Sequence, residues 1–171
     1  MRSALGLEES QIMEKRSYKF GLSSLHLIFG DITTSDARGL VSSDDYQLTM
    51  GGGVSAALYR AAGEALLIDV AKKAPASLGD VVVTTAGALS AEHIFHIITI
   101  GRKRNEKPTI TVVEEATSKC LELLSGLGLD SIAFPAIGTG VARYSTEDVA
   151  VKMAKVISEF LKKDDTQQFQ M

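Results

Sequence analysis

Apolar residues recur every three to four positions in four segments of the chain, which is the spacing of the buried stripe of an amphipathic helix. The four stripes are Val54, Ala57, Leu58, Ala61 and Ala62, then Leu67, Val70, Ala71 and Ala74, then Val113, Ala116, Cys120, Leu123, Leu124 and Leu127, and finally Val149, Met153, Val156, Ile157 and Phe160. The third and fourth segments open with the spacing of a capping box, Thr111 to Glu114 and Ser145 to Asp148. The pattern therefore predicts four helices.

Short segments rich in β-branched and aromatic residues lie between these stripes and predict strands. They cover residues 18–20, 25–29, 39–42, 81–85, 94–100 and 131–135. Residues 94–100 are almost continuously hydrophobic, which predicts burial on both faces of a sheet. Residues 167–171 fit the start of a further strand, so we expect the domain to lack or truncate its last strand. Strands that alternate with helices predict a layered α/β fold.

Length and composition predict one soluble domain. The chain has 171 residues, of which 45% are hydrophobic and 23% charged. Residues 1–16 have few, unpatterned apolar positions and are expected to be a tail or linker, with a single domain over residues 17–171. No apolar run approaches the ~20 residues that a membrane-spanning helix needs.

Charge and cysteine content narrow the function classes. The net charge of −3 argues against a broad nucleic-acid-binding surface, although a local positive pocket for a small anion is compatible with it. The single cysteine, Cys120, excludes an intramolecular disulfide and suits a reducing cytoplasm, where we expect the protein to be located. Cys120 falls on the buried stripe of its helix, which favours core packing over a nucleophile.

The segment from Ser42 to Val54 has the local pattern that most strongly indicates a ligand-binding site. A polar, acidic stretch runs into Gly51, Gly52 and Gly53, and the glycines run into the first helix. Glycines in this position let the backbone approach a ligand, and the free N–H groups and positive dipole end of the helix favour an anion. The alternative is a flexible surface turn.

Two further loops at predicted strand ends carry glycine or acid, Gly30-Asp31 and residues 138–140. In open α/β sheets the ligand crevice lies beyond the carboxyl ends of the strands. We therefore expect these two loops and the loop at residues 44–53 to form one crevice. A dinucleotide fingerprint fits Gly51, Gly53 and Ala56 but is not preceded directly by a strand, and no P-loop motif is present.

Three ordered motifs resemble the macrodomain family. They are Gly30-Asp31-Ile32-Thr33, then Gly51-Gly52-Gly53-Val54 leading into a helix that ends Ala61-Ala62-Gly63, and Ser131-Ile132-Ala133-Phe134-Pro135-Ala136-Ile137-Gly138-Thr139-Gly140. The resemblance covers roughly residues 25–161. It implies a three-layer α/β/α fold with a central mixed sheet, and a crevice that binds ADP-ribose free or attached to a macromolecule. It implies no cofactor and no metal.

The resemblance also implies a role for individual residues. The carboxylate of Asp31 would accept a hydrogen bond from the adenine amino group, and the N–H of Ile32 would contact a ring nitrogen. The first glycine loop would lie against the diphosphate and distal ribose, and the second would wrap the diphosphate from the other side. The residues implied in these two loops are Gly51, Gly52, Gly53, Val54 and Ser55, then Gly138, Thr139, Gly140, Val141, Ala142 and Tyr144.

The chain departs from the family pattern where many members carry Asn-Ala-Ala-Asn. Here the stretch is Ser42-Ser43-Asp44-Asp45, so a carboxylate at Asp45 replaces the amide that contacts the distal ribose. Ser55 stands where the hydrolytic branch often has Asp, and Ala142 where an aromatic is usual, with Tyr144 matching a second aromatic. The chain could also be one domain of a larger multidomain protein.

These departures leave three functions open. The chain is a binding module for ADP-ribose, or a hydrolase of ADP-ribosyl linkages or of an ADP-ribose derivative, or a scaffold with a vestigial pocket. In the hydrolase, Asp44 or Asp45 would activate water, or the substrate diphosphate would assist. Ser55 in place of Asp favours the binding module. His96, in a predicted buried strand, is expected to be a core histidine with satisfied hydrogen bonds rather than a metal ligand.

Overall fold

The computed structural model describes residues 15–103, 108–139, 144–163 and 169–171. The elements in chain order are β1 (Lys15–Phe20), β2 (Ser23–Ile28), the 3-10 turn η1 (Ile32–Thr34), β3 (Gly39–Asp45), α1 (Gly53–Ala62), α2 (Glu64–Lys73), β4 (Val81–Thr85), β5 (His93–Ile100), α3 (Ile110–Gly126), β6 (Ile132–Ala133) and α4 (Thr146–Lys163). No helix within these ranges is long and apolar enough to cross a membrane.

The strands form a mixed sheet with β3 near its centre. β3 pairs in parallel with β5 on one side and β6 on the other, β4 is antiparallel to β5, and β1 is antiparallel to β2. Gln170 forms parallel bridges with both Ser24 and Ser131, so the terminal segment lies between β2 and β6 and connects the two groups of strands. The carboxyl ends of β2, β6, β3 and β5 therefore lie at the same edge.

Two apolar clusters hold helices on opposite faces of this sheet. One cluster contains residues of α3 and α4, and the other contains residues of α1 and α2. The central mixed sheet between two helical layers confirms the predicted α/β/α fold. Nearly all of β5 is buried on both faces, as the apolar run at residues 94–100 predicted.

The amino-terminal hairpin differs from the sequence-based prediction. Its turn contains only Gly21, with φ +57°, and Leu22, and β2 already begins at Ser23. Lys15 and Arg16, expected in the tail, pair with Ile28 and Leu27. The prediction failed because β1 is largely exposed and so carries no apolar alternation.

The start and the buried face of α3 also differ from the prediction. Thr109 is the N-cap, and its hydroxyl accepts the Val112 N–H at 3.3 Å, whereas Thr111 lies inside the first turn. Leu127, expected in the buried stripe, is 45% exposed because the helix has already ended at Gly126. For α4 the predicted cap is confirmed, since Ser145 Oγ accepts the Asp148 N–H at 3.0 Å.

Candidate ligand-binding crevice

The three loops predicted to form a crevice all follow strands that end at the carboxyl edge of the sheet. η1, which begins one residue after Asp31, contacts α1, so the first loop lies beside the glycine loop. The third loop follows β6, the parallel neighbour of β3. The topology thus brings the three loops to one edge. Gly140, Val141 and Ala142 of the third loop lie outside the described residues.

Asp31 is an exposed carboxylate fixed at the start of η1. Its Oδ1 accepts the Thr33 N–H at 2.9 Å and the Thr33 hydroxyl at 2.8 Å. These two bonds, the backbone one foremost, lower the pKa of Asp31. The side chain is thus an ionised acceptor, held in place directly before Ile32, where the resemblance put the adenine contacts.

The segment between β3 and the glycines is anchored by two apolar side chains in an uncommon backbone conformation. Leu48 and Met50 have φ of +55° and +52°, and each is only 2% exposed. A left-handed conformation costs a non-glycine residue roughly 1–2 kcal/mol, and burial of a Leu or Met side chain offsets a cost of that size. The two anchors fix the direction in which the chain enters Gly51.

Gly52 and Gly53 border open space at the start of α1. A Cβ added to either residue would meet no atom within 4 Å. Gly53 has φ +56°, and Gly52 is the N-cap with no side-chain hydrogen bond to the helix. The N-cap residue therefore has no side chain that could accept a hydrogen bond from the first N–H groups of α1. The space in front of these N–H groups can admit an anion.

The side chains of Ser55 and Val54 are less accessible to a ligand than the backbone at Gly52 and Gly53. Ser55 is 3% exposed, and its hydroxyl donates to the Gly52 carbonyl at 2.8 Å. Val54 is half-buried and packs against the apolar cluster under α1 and α2. A ligand contact at these positions stays a prediction, and the backbone N–H groups are the atoms best suited to it.

Asp45 is partly exposed and closes its own loop. Oδ1 accepts the Gln47 N–H at 2.8 Å, and Oδ2 accepts the hydroxyl of Thr49. The sequence-based prediction placed Asp44 and Asp45 in a loop after a strand ending at Ser42, and this is wrong. β3 continues to Asp45, with a register shift against β5 between Asp44 and Asp45.

Asp44 lies in the protein core. Its Oδ2 accepts the Ser42 hydroxyl at 2.8 Å and lies 2.8 Å from Nδ1 of His96, whose Nε2 lies 2.8 Å from Oγ1 of Thr84. These four residues are each at most 3% exposed. The hydrogen bonds confirm His96 as a satisfied core histidine, and they explain why β3 extends beyond Ser42. Among the described residues, Asp44 Oδ1 has no hydrogen-bond partner.

The described part of the third loop is held from both ends. Gly138 has φ +81°, and its carbonyl accepts the Tyr144 N–H at 3.3 Å. Thr139 donates its hydroxyl to the Ala136 carbonyl at 2.8 Å. The Tyr144 hydroxyl donates to the Pro108 carbonyl at 2.5 Å, so this half-buried ring anchors the loop to the start of α3. Its predicted contact with the ligand stays a prediction.

An apolar groove of about 180 Å³ opens beside the carboxyl end of β6. It is lined by Leu25 and Leu27 of β2, residues 134–136, one face of α4 and Met171. β2 leads from this groove towards Asp31. The groove was not predicted from the sequence, because its walls come from four separate segments. The alternation of Leu25 and Leu27 was the one local signal.

Comparisons with known proteins agree with this architecture. The family model described as Macro domain matches residues 41–153. An O-acetyl-ADP-ribose deacetylase of Salmonella typhimurium is 37% identical over 144 residues, which are 81% of this chain and 80% of the relative.

Solved structures give the same result. The Oceanobacillus iheyensis macrodomain with ADP is 27% identical, with a TM-score of 0.82 over 92% of this chain and 87% of that one. The Trypanosoma brucei macrodomain in complex with ADP-ribose is 24% identical, with a TM-score of 0.74 over 85% of this chain and 62% of that one, and shows the fold alone. The chain belongs to the macrodomain family.

Proposed function

We propose that this macrodomain binds ADP-ribose, free or attached to a macromolecule, across the carboxyl edge of its sheet. The observation that carries the proposal is the open space at Gly52 and Gly53 in front of the uncapped start of α1. A diphosphate fits there, because backbone N–H groups and a helix dipole stabilise it without a lysine. The ADP complex of the Oceanobacillus relative supports a nucleoside diphosphate as ligand.

The adenine end is assigned to the Asp31 side of the crevice. The ionised carboxylate of Asp31 is an acceptor for the exocyclic amino group, and the adjacent N–H of Ile32 is a donor for a ring nitrogen. The apolar groove between β2 and α4 offers a surface for the face of the base. Apolar walls with a few fixed polar groups are the usual construction of small-ligand sites.

The distal ribose is assigned to the end of β3. Asp45 is the partly exposed carboxylate there, and its two oxygens can accept bonds from two ribose hydroxyls. Asp45 already accepts from Gln47 and Thr49, so the loop holds it in place before the ligand arrives. This preorganisation reduces the conformational entropy lost on binding.

Calorimetry with ADP-ribose and AMP tests the proposal. The chain should bind ADP-ribose more tightly than AMP, because the helix start and the third loop act on the diphosphate. Gly52→Glu should abolish binding, since it fills the open space with bulk and negative charge; Gly52 has extended backbone, so this variant adds no left-handed strain. Gly126→Glu is the matched control, since Gly126 also borders open space but lies at the end of α3. Equal affinity in both variants would contradict the proposal.

A second candidate function is hydrolysis of O-acetyl-ADP-ribose to acetate and ADP-ribose. The 37% identity to deacetylases of that name favours it. In this reaction water adds to the acyl carbon and the ribose oxygen leaves, and we assign activation of the water to Asp45 rather than to the buried Asp44. Release of acetate, followed by proton NMR, distinguishes this function from binding alone.

The single cysteine further supports a cytoplasmic location as part of the proposal.

A further inference from the structure

Arg102 and Tyr46 form a cation–π pair at the carboxyl edge, next to the assigned position of the distal ribose. The Arg102 guanidinium carbon lies 5.8 Å from the centre of the Tyr46 ring. Tyr46 directly follows Asp45, and Arg102 lies two residues beyond the end of β5. Since the assigned ligand runs from β2 across β6 to β3, β5 is the next strand in the same direction.

Tyr46, which lies under this guanidinium, is held in place by backbone hydrogen bonds and by packing. Its N–H donates to the Ile100 carbonyl at 2.9 Å, and its carbonyl accepts the Ala76 N–H at 2.8 Å. The ring is partly buried against the apolar cluster under α1 and α2. A guanidinium held over such a ring by a cation–π contact can still bind an oxyanion through its N–H groups.

Arg102 is exposed and forms no ion pair with any of the residues that the structure describes. An exposed arginine that lies over a tyrosine ring and has no carboxylate partner among the described residues can offer its charge to another molecule. Asp45, which directly precedes Tyr46, accepts hydrogen bonds from Gln47 and Thr49 and forms no ion pair with Arg102. Arg102 therefore differs from an arginine whose charge is neutralised by an ion pair within the fold.

We propose that Arg102, supported by Tyr46, binds a carboxylate of an acidic protein segment whose neighbouring residue carries the ADP-ribose. The inference rests on the proposed function, because it uses the assigned direction of the ligand. A macromolecule joined to the distal ribose leaves the crevice at the end of β3, beside Tyr46 and its partner Arg102.

A protein segment fits this site better than a nucleic acid. Binding to a phosphate backbone uses several cations along a basic surface, and this chain has a net charge of −3. Near the third loop, the charged residues that line a cavity beside Tyr144 are Glu147, Asp148 and Lys152, so this cavity has no excess of positive charge for a phosphate. A single arginine can neutralise the charge of one carboxylate, which an acidic protein segment provides.

Calorimetry on two peptides tests the inference. Each peptide carries ADP-ribose on the side-chain amide of a central glutamine, a linkage chosen to resist hydrolysis, and the flanking residues are glutamate in one and glutamine in the other. The unmodified protein should bind the glutamate-flanked peptide about two- to fivefold more tightly, the range of an exposed ion pair. Arg102→Ala should remove this difference and leave the affinity for free ADP-ribose within about twofold.

Arg60→Ala is the matched control, since Arg60 is an exposed arginine on the last turn of α1. It should preserve the preference for the glutamate-flanked peptide. A preference that survives in Arg102→Ala, or is absent from the unmodified protein, would overturn the inference while leaving the proposed function intact. A DNA oligonucleotide with ADP-ribose on its 5′-phosphate that binds more tightly than either peptide, in an Arg102-dependent way, would replace the protein with a nucleic acid. Failure of the unmodified protein to bind free ADP-ribose would refute both proposals.

Discussion

The imidazole Nδ1 of His96 lies 2.8 Å from Oδ2 of Asp44, and both side chains are almost completely buried. Ser42 also donates to this oxygen, so one carboxylate joins two strands, β3 and β5, just below the crevice. Asp45, which follows, takes a shifted register and reaches the partly exposed edge. The buried pair therefore fixes the point at which β3 gives way to the loop that leads to the glycines before α1.

Replacing Asp44 should destabilise the protein much more than replacing Asp45. Asp44→Ala leaves His96 and Ser42 without their partner in the core, which should lower the free energy of unfolding by about 2–4 kcal/mol. Asp45→Ala removes exposed hydrogen bonds to its own loop and should cost about 1 kcal/mol or less. Urea denaturation measures both, and equal effects would show that the buried pair does not stabilise the fold.

Alanine at the two glycines before α1 should have unequal effects on stability. Gly53→Ala places a Cβ at φ +56° and should cost roughly 1–2 kcal/mol, whereas Gly52→Ala, in extended backbone, should be nearly neutral. Both added methyl groups border open space, so steric overlap within the protein is the same in the two variants. Denaturation curves with matching midpoints would exclude backbone strain as the reason for glycine at position 53.

Asp31 should titrate below its usual range because Thr33 donates two hydrogen bonds to it. A carboxyl with a lowered folded-state pKa stabilises the fold above its unfolded pKa and loses that contribution as the pH falls through the folded pKa, here below about pH 4. Thr33→Val should move the pKa towards 3.8, as measured by carboxyl ¹³C NMR. Thr34→Val is the control, since that hydroxyl donates to the Asp31 carbonyl; a shift in the control alone would contradict the assignment.

Hydrolysis of aspartyl- or glutamyl-linked ADP-ribose should be slow or absent. Position 55 has no carboxylate, and the Ser55 hydroxyl is directed to the Gly52 carbonyl. Without a carboxylate at position 55, the reacting groups are positioned more loosely, and loose positioning can cost about a hundredfold in rate. A time course on a mono-ADP-ribosylated protein measures the release, and rapid release by the unmodified chain would make it an enzyme.

Two substitutions at Asp45 separate a general base from a ribose acceptor. If Asp45 activates water, Asp45→Asn should lower turnover by ~10²–10⁴-fold with similar binding. If it only binds ribose hydroxyls, Asp45→Ala should weaken the affinity for ADP-ribose, and there is no turnover to lose. Calorimetry and the same time course on both variants give the answer, and unchanged binding and turnover in both would remove Asp45 from the site.

Local sequence pattern determined most of the fold. The apolar stripe with Val149, Met153 and Ile157 predicts α4, and the glycines before Val54 predict an exposed helix start, because each signal comes from neighbouring residues on one element. The position of three loops at one edge followed from alternating strands and helices. Such features depend on the periods of helices and strands, which the sequence displays directly.

Only the tertiary structure decided what depends on distant partners. Asp44 appears in the sequence as one of two adjacent acids, and its burial depends on His96, 52 positions later. The support of Arg102 by Tyr46 likewise depends on the pairing of β3 with β5. Whether a polar side chain faces water or the core is set by the free energy of desolvation against the hydrogen bonds available there, and the fold supplies those bonds.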